Sequence, residues 1–63
     1  MDVLTADQVA DLLNLSRNQV FVMAKRGEIP ARVIAGRIRF LAEEIEEWLK
    51  MRPKPSPAVK YVG

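Results

Sequence analysis

The chain has 63 residues, none of them cysteine or histidine, and 49% are hydrophobic. That length holds a single domain, and the composition excludes disulfide staples and thiolate or imidazole metal sites, so an apolar core must carry the fold. The net charge is only +2, yet six cations (Arg17, Lys25, Arg26, Arg32, Arg37, Arg39) face one acid, Glu28, between Arg17 and Arg39, while Glu43, Glu44, Glu46 and Glu47 crowd a later segment, so the chain divides into a basic middle and an acidic later part.

The first element begins at Leu4-Thr5-Ala6-Asp7-Gln8-Val9 and the second at Leu15-Ser16-Arg17-Asn18-Gln19-Val20. In each, a hydroxyl residue (Thr5, Ser16) is a helix N-cap, and a glutamine three residues on reaches back to the cap N–H. Leu4 with Val9, and Leu15 with Val20, have the spacing of a hydrophobic staple. Two short helices are therefore expected, Ala6–Leu13 and 17–26, joined by a turn at Asn14-Leu15. Val9, Leu12 and Leu13 are the expected inner face of the first. Val20, Met23 and Ala24 form the apolar seam of the second. Phe21 and Val22 lie off that seam and are read as surface rather than core. Gly27 stands where a left-handed residue ends a helix.

After Glu28-Ile29-Pro30 the period changes to two. Ile34, Ile38 and Phe40 are expected on one face of a small hairpin, with Arg37 and Arg39 on the other. Ala35-Gly36 is its turn. Gly36 supplies a positive φ, whereas Ala35 argues against a turn that needs positive φ at both central positions. A third helix, 42–51, carries Ile45, Trp48 and Leu49 as its buried stripe, which makes Trp48 a structural residue. It has no good N-cap, and Pro53 stops it. Residues 1–52 thus form the domain. Residues 53–63 are a proline-spaced tail with Lys54 and Lys60 and an apolar tip of Val59, Tyr61 and Val62, read either as a frayed terminus with no role or as an extended basic arm suited to reaching a neighbouring protein. No apolar run approaches a membrane span, and the first residues lack a signal peptide's pattern, so a cytoplasmic location with no membrane partner is expected.

This order of elements, with Leu4-Thr5, Val9-Ala10, Leu12-Leu13, Leu15-Ser16-Arg17, Val20, Arg26-Gly27-Glu28-Ile29-Pro30-Ala31, Gly36-Arg37-Ile38-Arg39-Phe40 and Glu44 through Trp48-Leu49, resembles the excisionase-type helix-turn-helix proteins of the MerR-like winged-helix group. The resemblance covers about residues 4 to 50. Phe21 departs from it where a tyrosine is expected, and Val22 where a polar or basic residue is. It implies a mainly α fold with a small β-hairpin wing, a winged helix-turn-helix. It implies a protein without catalysis or cofactor that binds sites beside an attachment sequence, bends the DNA and directs a tyrosine integrase toward excision. Further copies on tandem sites are implied partners. A small MerR-like transcriptional regulator is the alternative, and the DNA-binding part of a packaging protein a third.

The side chains support double-stranded DNA as the partner on their own chemistry. The major groove admits one helix, and the start of the second helix of such a pair meets base edges. Arg17 suits guanine O6 and N7, and Asn18 and Gln19 suit adenine, although the capping box competes for the Gln19 amide. Phe21 and Val22 suit a thymine methyl or sugar edge. Lys25, Arg26 and Arg32 are candidate phosphate contacts. Arg37 and Arg39 on the wing suit the adjacent minor groove or its phosphates. The glutamates of the third helix read as a solvated face rather than as an acid–base pair.

Overall fold

The computed structural model describes residues 2–57. Its elements are β1 (Val3–Leu4), α1 (Ala6–Leu13), α2 (Arg17–Lys25), β2 (Arg32–Ile34), β3 (Arg37–Leu41) and α3 (Ala42–Lys50). The expected tip residues Val59, Lys60, Tyr61 and Val62 lie outside the described part.

Both capping boxes form. The Gln8 N–H donates to the Thr5 hydroxyl at 3.3 Å, and the Thr5 N–H donates to the Gln8 amide oxygen at 2.9 Å. The corresponding distances at Ser16 and Gln19 are 3.1 and 2.8 Å. Each helix also ends in a left-handed residue. Asn14 has φ 55°, and the Leu15 N–H reaches back to the Ala10 carbonyl at 2.9 Å. Gly27 has φ 71°, and the Glu28 N–H reaches the Met23 carbonyl at 2.9 Å. These back-bonds satisfy carbonyls that a helix end otherwise leaves free. They turn the chain sharply after each helix, which sets α1 and α2 against one another.

The sheet has the order β1-β3-β2, with both pairings antiparallel. The sequence patterns did not reveal β1. Val3 pairs with Leu41 and Leu4 with Phe40. The Ala42 N–H donates to the Asp2 carbonyl at 3.0 Å. That bond satisfies one of the free donors at the start of α3, whose N-cap, Leu41, makes no side-chain hydrogen bond. A strand neighbour thus does part of what a capping side chain does elsewhere.

The core is Ala6, Val9 and Ala10 of α1, Val20 of α2, Ile29, Phe40 of β3 and Ile45 of α3, and no polar residue is buried with them among the described residues. Phe40, Ile45, Val9 and Val20 are its largest fully enclosed side chains, each contributing about 1.5–3 kcal/mol by leaving water.

Four expectations about packing are corrected. Leu12 is 60% exposed, because the inner stripe of α1 runs through Ala6, Val9, Ala10 and Leu13; two alanines face the core and let α1 approach closely. Leu49 is exposed, because α3 packs chiefly against β3, which leads directly into its first turn. Phe21 packs half-buried against the core rather than lying wholly on the surface. Ile34 is opposite Arg37 and 49% exposed. Residues directly opposed on neighbouring strands share a face, so the two-residue turn puts Ile34 on the arginine side and Val33 opposite Ile38. The expectation drawn from Ala35 is also overturned, because both turn residues have positive φ, Ala35 at 52° and Gly36 at 76°, as a type I′ turn requires.

Candidate nucleic-acid interface

The outward face of α2 follows from what its inner face buries. Val20 is enclosed and Met23 and Ala24 pack on the core, so a helical period leaves Asn18, Val22, Lys25 and Arg26 exposed on the far side. Arg17, Phe21 and Lys25, four residues apart, form the flank that looks toward the wing.

Across from that flank stand Arg37 and Arg39 of β3. Together with Gly36 and Ile38 they close a groove of about 520 Å³ against Arg17, Phe21 and Lys25. Four of the six expected cations line this groove. The gap between helix and wing is therefore positively charged with one aromatic wall.

Arg17 lines the groove with its side chain exposed. Its guanidinium lies 5.2 Å from the centre of the Phe21 ring, and its Nε is 3.6 Å from an Asp7 carboxylate oxygen on α1. Phe21 thus has two tasks, since it packs against the core and its ring also lies beneath the arginine. A cation over an aromatic face is attracted by the ring's negative potential. Arg39 is half-buried, and its Nη1 donates to the Ile38 carbonyl at 2.8 Å. Lys25, Arg26 and Arg37 form no ion pair among the described residues.

Two expected contacts change character. The Gln19 amide oxygen accepts from the Ser16 N–H at 2.8 Å. A bidentate grip on adenine needs that oxygen as well as the amide nitrogen, so Gln19 serves the cap and keeps only its N–H donors for another partner. Arg32 does not reach the groove. It makes a forked pair with Glu44 of α3, Nε to Oε1 at 3.1 Å and Nη2 to Oε2 at 2.8 Å. The hydrogen bonds from Arg32 hold the Glu44 carboxyl below the ordinary carboxylate range, and they raise Arg32 in return. The reason lies in the register. Arg32 sits directly opposite Arg39, and like charges facing across a ladder repel. Glu44 neutralises the first and the Ile38 carbonyl engages the second.

Sequence reasoning missed Asp7, Glu44 and the platform role of Phe21. The Arg17–Phe21 spacing of four on one helix was a usable signal. Asp7 and Glu44 come from other elements, and no local pattern marks them.

No helix among the described residues is long and apolar enough to cross a membrane. A family model described as a helix-turn-helix domain matches residues 3–53. No curated protein and no solved structure matches the chain.

Proposed function

From the premise that the chain belongs to the helix-turn-helix domain family, a DNA-binding fold, we propose that it is a sequence-specific binder of double-stranded DNA that works by positioning and bending rather than by catalysis. The observation that carries this reading is the cationic groove in which Arg17 and Lys25 of α2 meet Arg37 and Arg39 of the wing. α2 enters the major groove. Arg17, braced on Phe21, and the exposed Asn18 read base edges, and Val22 offers an apolar surface to a thymine methyl. Lys25 and Arg26 hold phosphates on the same groove, while Arg37 and Arg39 reach the next phosphates or the adjacent minor groove.

Within that function we infer the role of an excisionase, cytoplasmic and associated with DNA, which occupies sites beside an attachment sequence and turns a tyrosine integrase toward excision. Its support is the resemblance over residues 4 to 50. Its partners are the integrase and further copies on tandem sites. An excision assay with a tyrosine integrase on DNA carrying its attachment sites distinguishes this role from that of a small transcriptional regulator, which changes a promoter's output and leaves excision untouched.

The DNA reading itself is tested by salt. With about four to five phosphate contacts, the logarithm of affinity falls with the logarithm of salt concentration at a slope of roughly −4. A slope near zero removes DNA as the partner.

A further inference from the structure

A second groove lies between α3 and the turn that follows α2. It has a volume of about 830 Å³ and shares no residue with the cationic groove. Pro30, Trp48 and Met51 form its apolar part, and Glu28, Glu43 and Glu47 its rim. Trp48 is half-buried and Met51 is 79% exposed. None of the three rim carboxylates pairs with a cation among the described residues. Arg52, which also lines the groove, lies over the Trp48 ring at 5.1 Å. An indole and a thioether left accessible beneath an acidic rim suit a segment with apolar side chains and positive charge.

The chain itself contains such a segment. Residues 53–63 include Lys54 and Lys60, no acid, and the apolar Val59, Tyr61 and Val62. We propose that this segment of a second copy docks in the α3 groove. The stem favours a neighbour over its own domain. Pro53, Pro55 and Pro57 alternate, and residues 53–57 are exposed throughout. Prolines at this spacing favour extended backbone of about 3.1 Å per residue, which leads away from α3 and disfavours a return to the helix just left. Because the two grooves share no residue, a copy bound to DNA still presents this surface to the next copy. The proposal takes up the neighbouring copy of the excision reading, but its test contains no DNA, so either idea fails without the other.

The test follows sedimentation and emission of the full chain over a wide concentration range. Trp48 is the chain's single tryptophan and reports directly on the groove. Wild type is expected to self-associate, less so at high salt, with a concentration-dependent change in Trp48 emission. The groove variant Glu43→Lys/Glu47→Lys and the segment variant Lys54→Glu/Lys60→Glu each weaken association by roughly tenfold or more, since like charges now meet. Mixing the two variants restores it, because each groove again meets a segment of opposite charge. A wild type that stays monomeric throughout, or association indifferent to both reversals, overturns the proposal. So does a mixture that fails to recover. A difference in Trp48 emission between wild type and the Lys54→Glu/Lys60→Glu variant that is the same at every concentration would show the segment folding onto its own groove, which also overturns docking between copies.

Discussion

At the scale of single residues, the interface depends on which cations are free and which are already engaged. On the proposed reading Arg17 contacts bases from its position over the Phe21 ring, and it must exchange its exposed contact with Asp7 for the DNA. Arg17→Ala and Asn18→Ala should each lose on the order of 1–3 kcal/mol on the preferred site and little on random DNA; equal losses on both would mean that these side chains do not read bases. Phe21→Leu keeps an apolar group against the core and removes the ring. It should weaken specific binding by about 0.5–1 kcal/mol. In an Arg17→Ala background the same change should add almost nothing, since the ring then has no cation to carry, and a double-mutant cycle measures that coupling directly. Gln19→Ala belongs to stability instead. With the cap oxygen lost, α2 should weaken by about 1 kcal/mol in thermal unfolding, with no selective loss at an adenine position.

The wing shows how an element is held by contacts its own sequence does not announce. Ala35 occupies a left-handed conformation that costs a residue with a Cβ about 1 kcal/mol or more, whereas asparagine tolerates it and favours this turn. Ala35→Asn should therefore raise stability by about 0.5–1 kcal/mol, read as a higher melting temperature with DNA affinity unchanged. The Arg32–Glu44 fork ties the base of the wing to α3, and its pH dependence has a definite sign. Glu44 ionises more readily folded than unfolded, so its contribution is present above the ordinary carboxylate range and disappears as the pH falls through the lowered folded-state value. Glu44→Gln should destabilise the domain at neutral pH, and the two proteins should converge in acid. Unchanged separation at low pH would show that the fork is not the cause. Arg32→Ala should leave the salt slope of DNA binding intact, while Arg37→Ala should reduce it by about one.

For the whole molecule, the small core concentrates stability in few side chains. Ile45 is enclosed and Trp48 is only partly so, which reverses the emphasis that size alone places on tryptophan. Ile45→Ala should cost about 2–5 kcal/mol, comparable to the entire stability of a domain this small, and circular dichroism should show it largely unfolded. Trp48→Ala should cost less and leave a folded domain whose α3 groove has lost its wall; if both variants unfold alike, Trp48 belongs to the core after all. The two helix starts, the left-handed stop at Gly27, the hairpin and the basic stretch that became the groove could all be read along the chain. The caps, the helix stop and the hairpin arise from hydrogen bonds and periodicities between residues close in sequence, and the basic stretch is a matter of composition, so none of them needs a distant partner to be seen. Where the sequence reading failed at Leu12, Leu49, Arg32 and the unseen β1, the deciding partner lay far along the chain, whereas Ile34 was misplaced by a local cause, the left-handed Ala35-Gly36 turn that sets it opposite Arg37. Burial depends on which face another element covers, and a two-residue strand has no period to detect. An arginine's role depends on the nearest carboxylate in space. By itself the sequence determined that two capped helices and an arginine-bearing hairpin would form. Only the tertiary structure decided which cations stay available, because Glu44 meets Arg32 in a forked pair only once α3 and the wing have packed together.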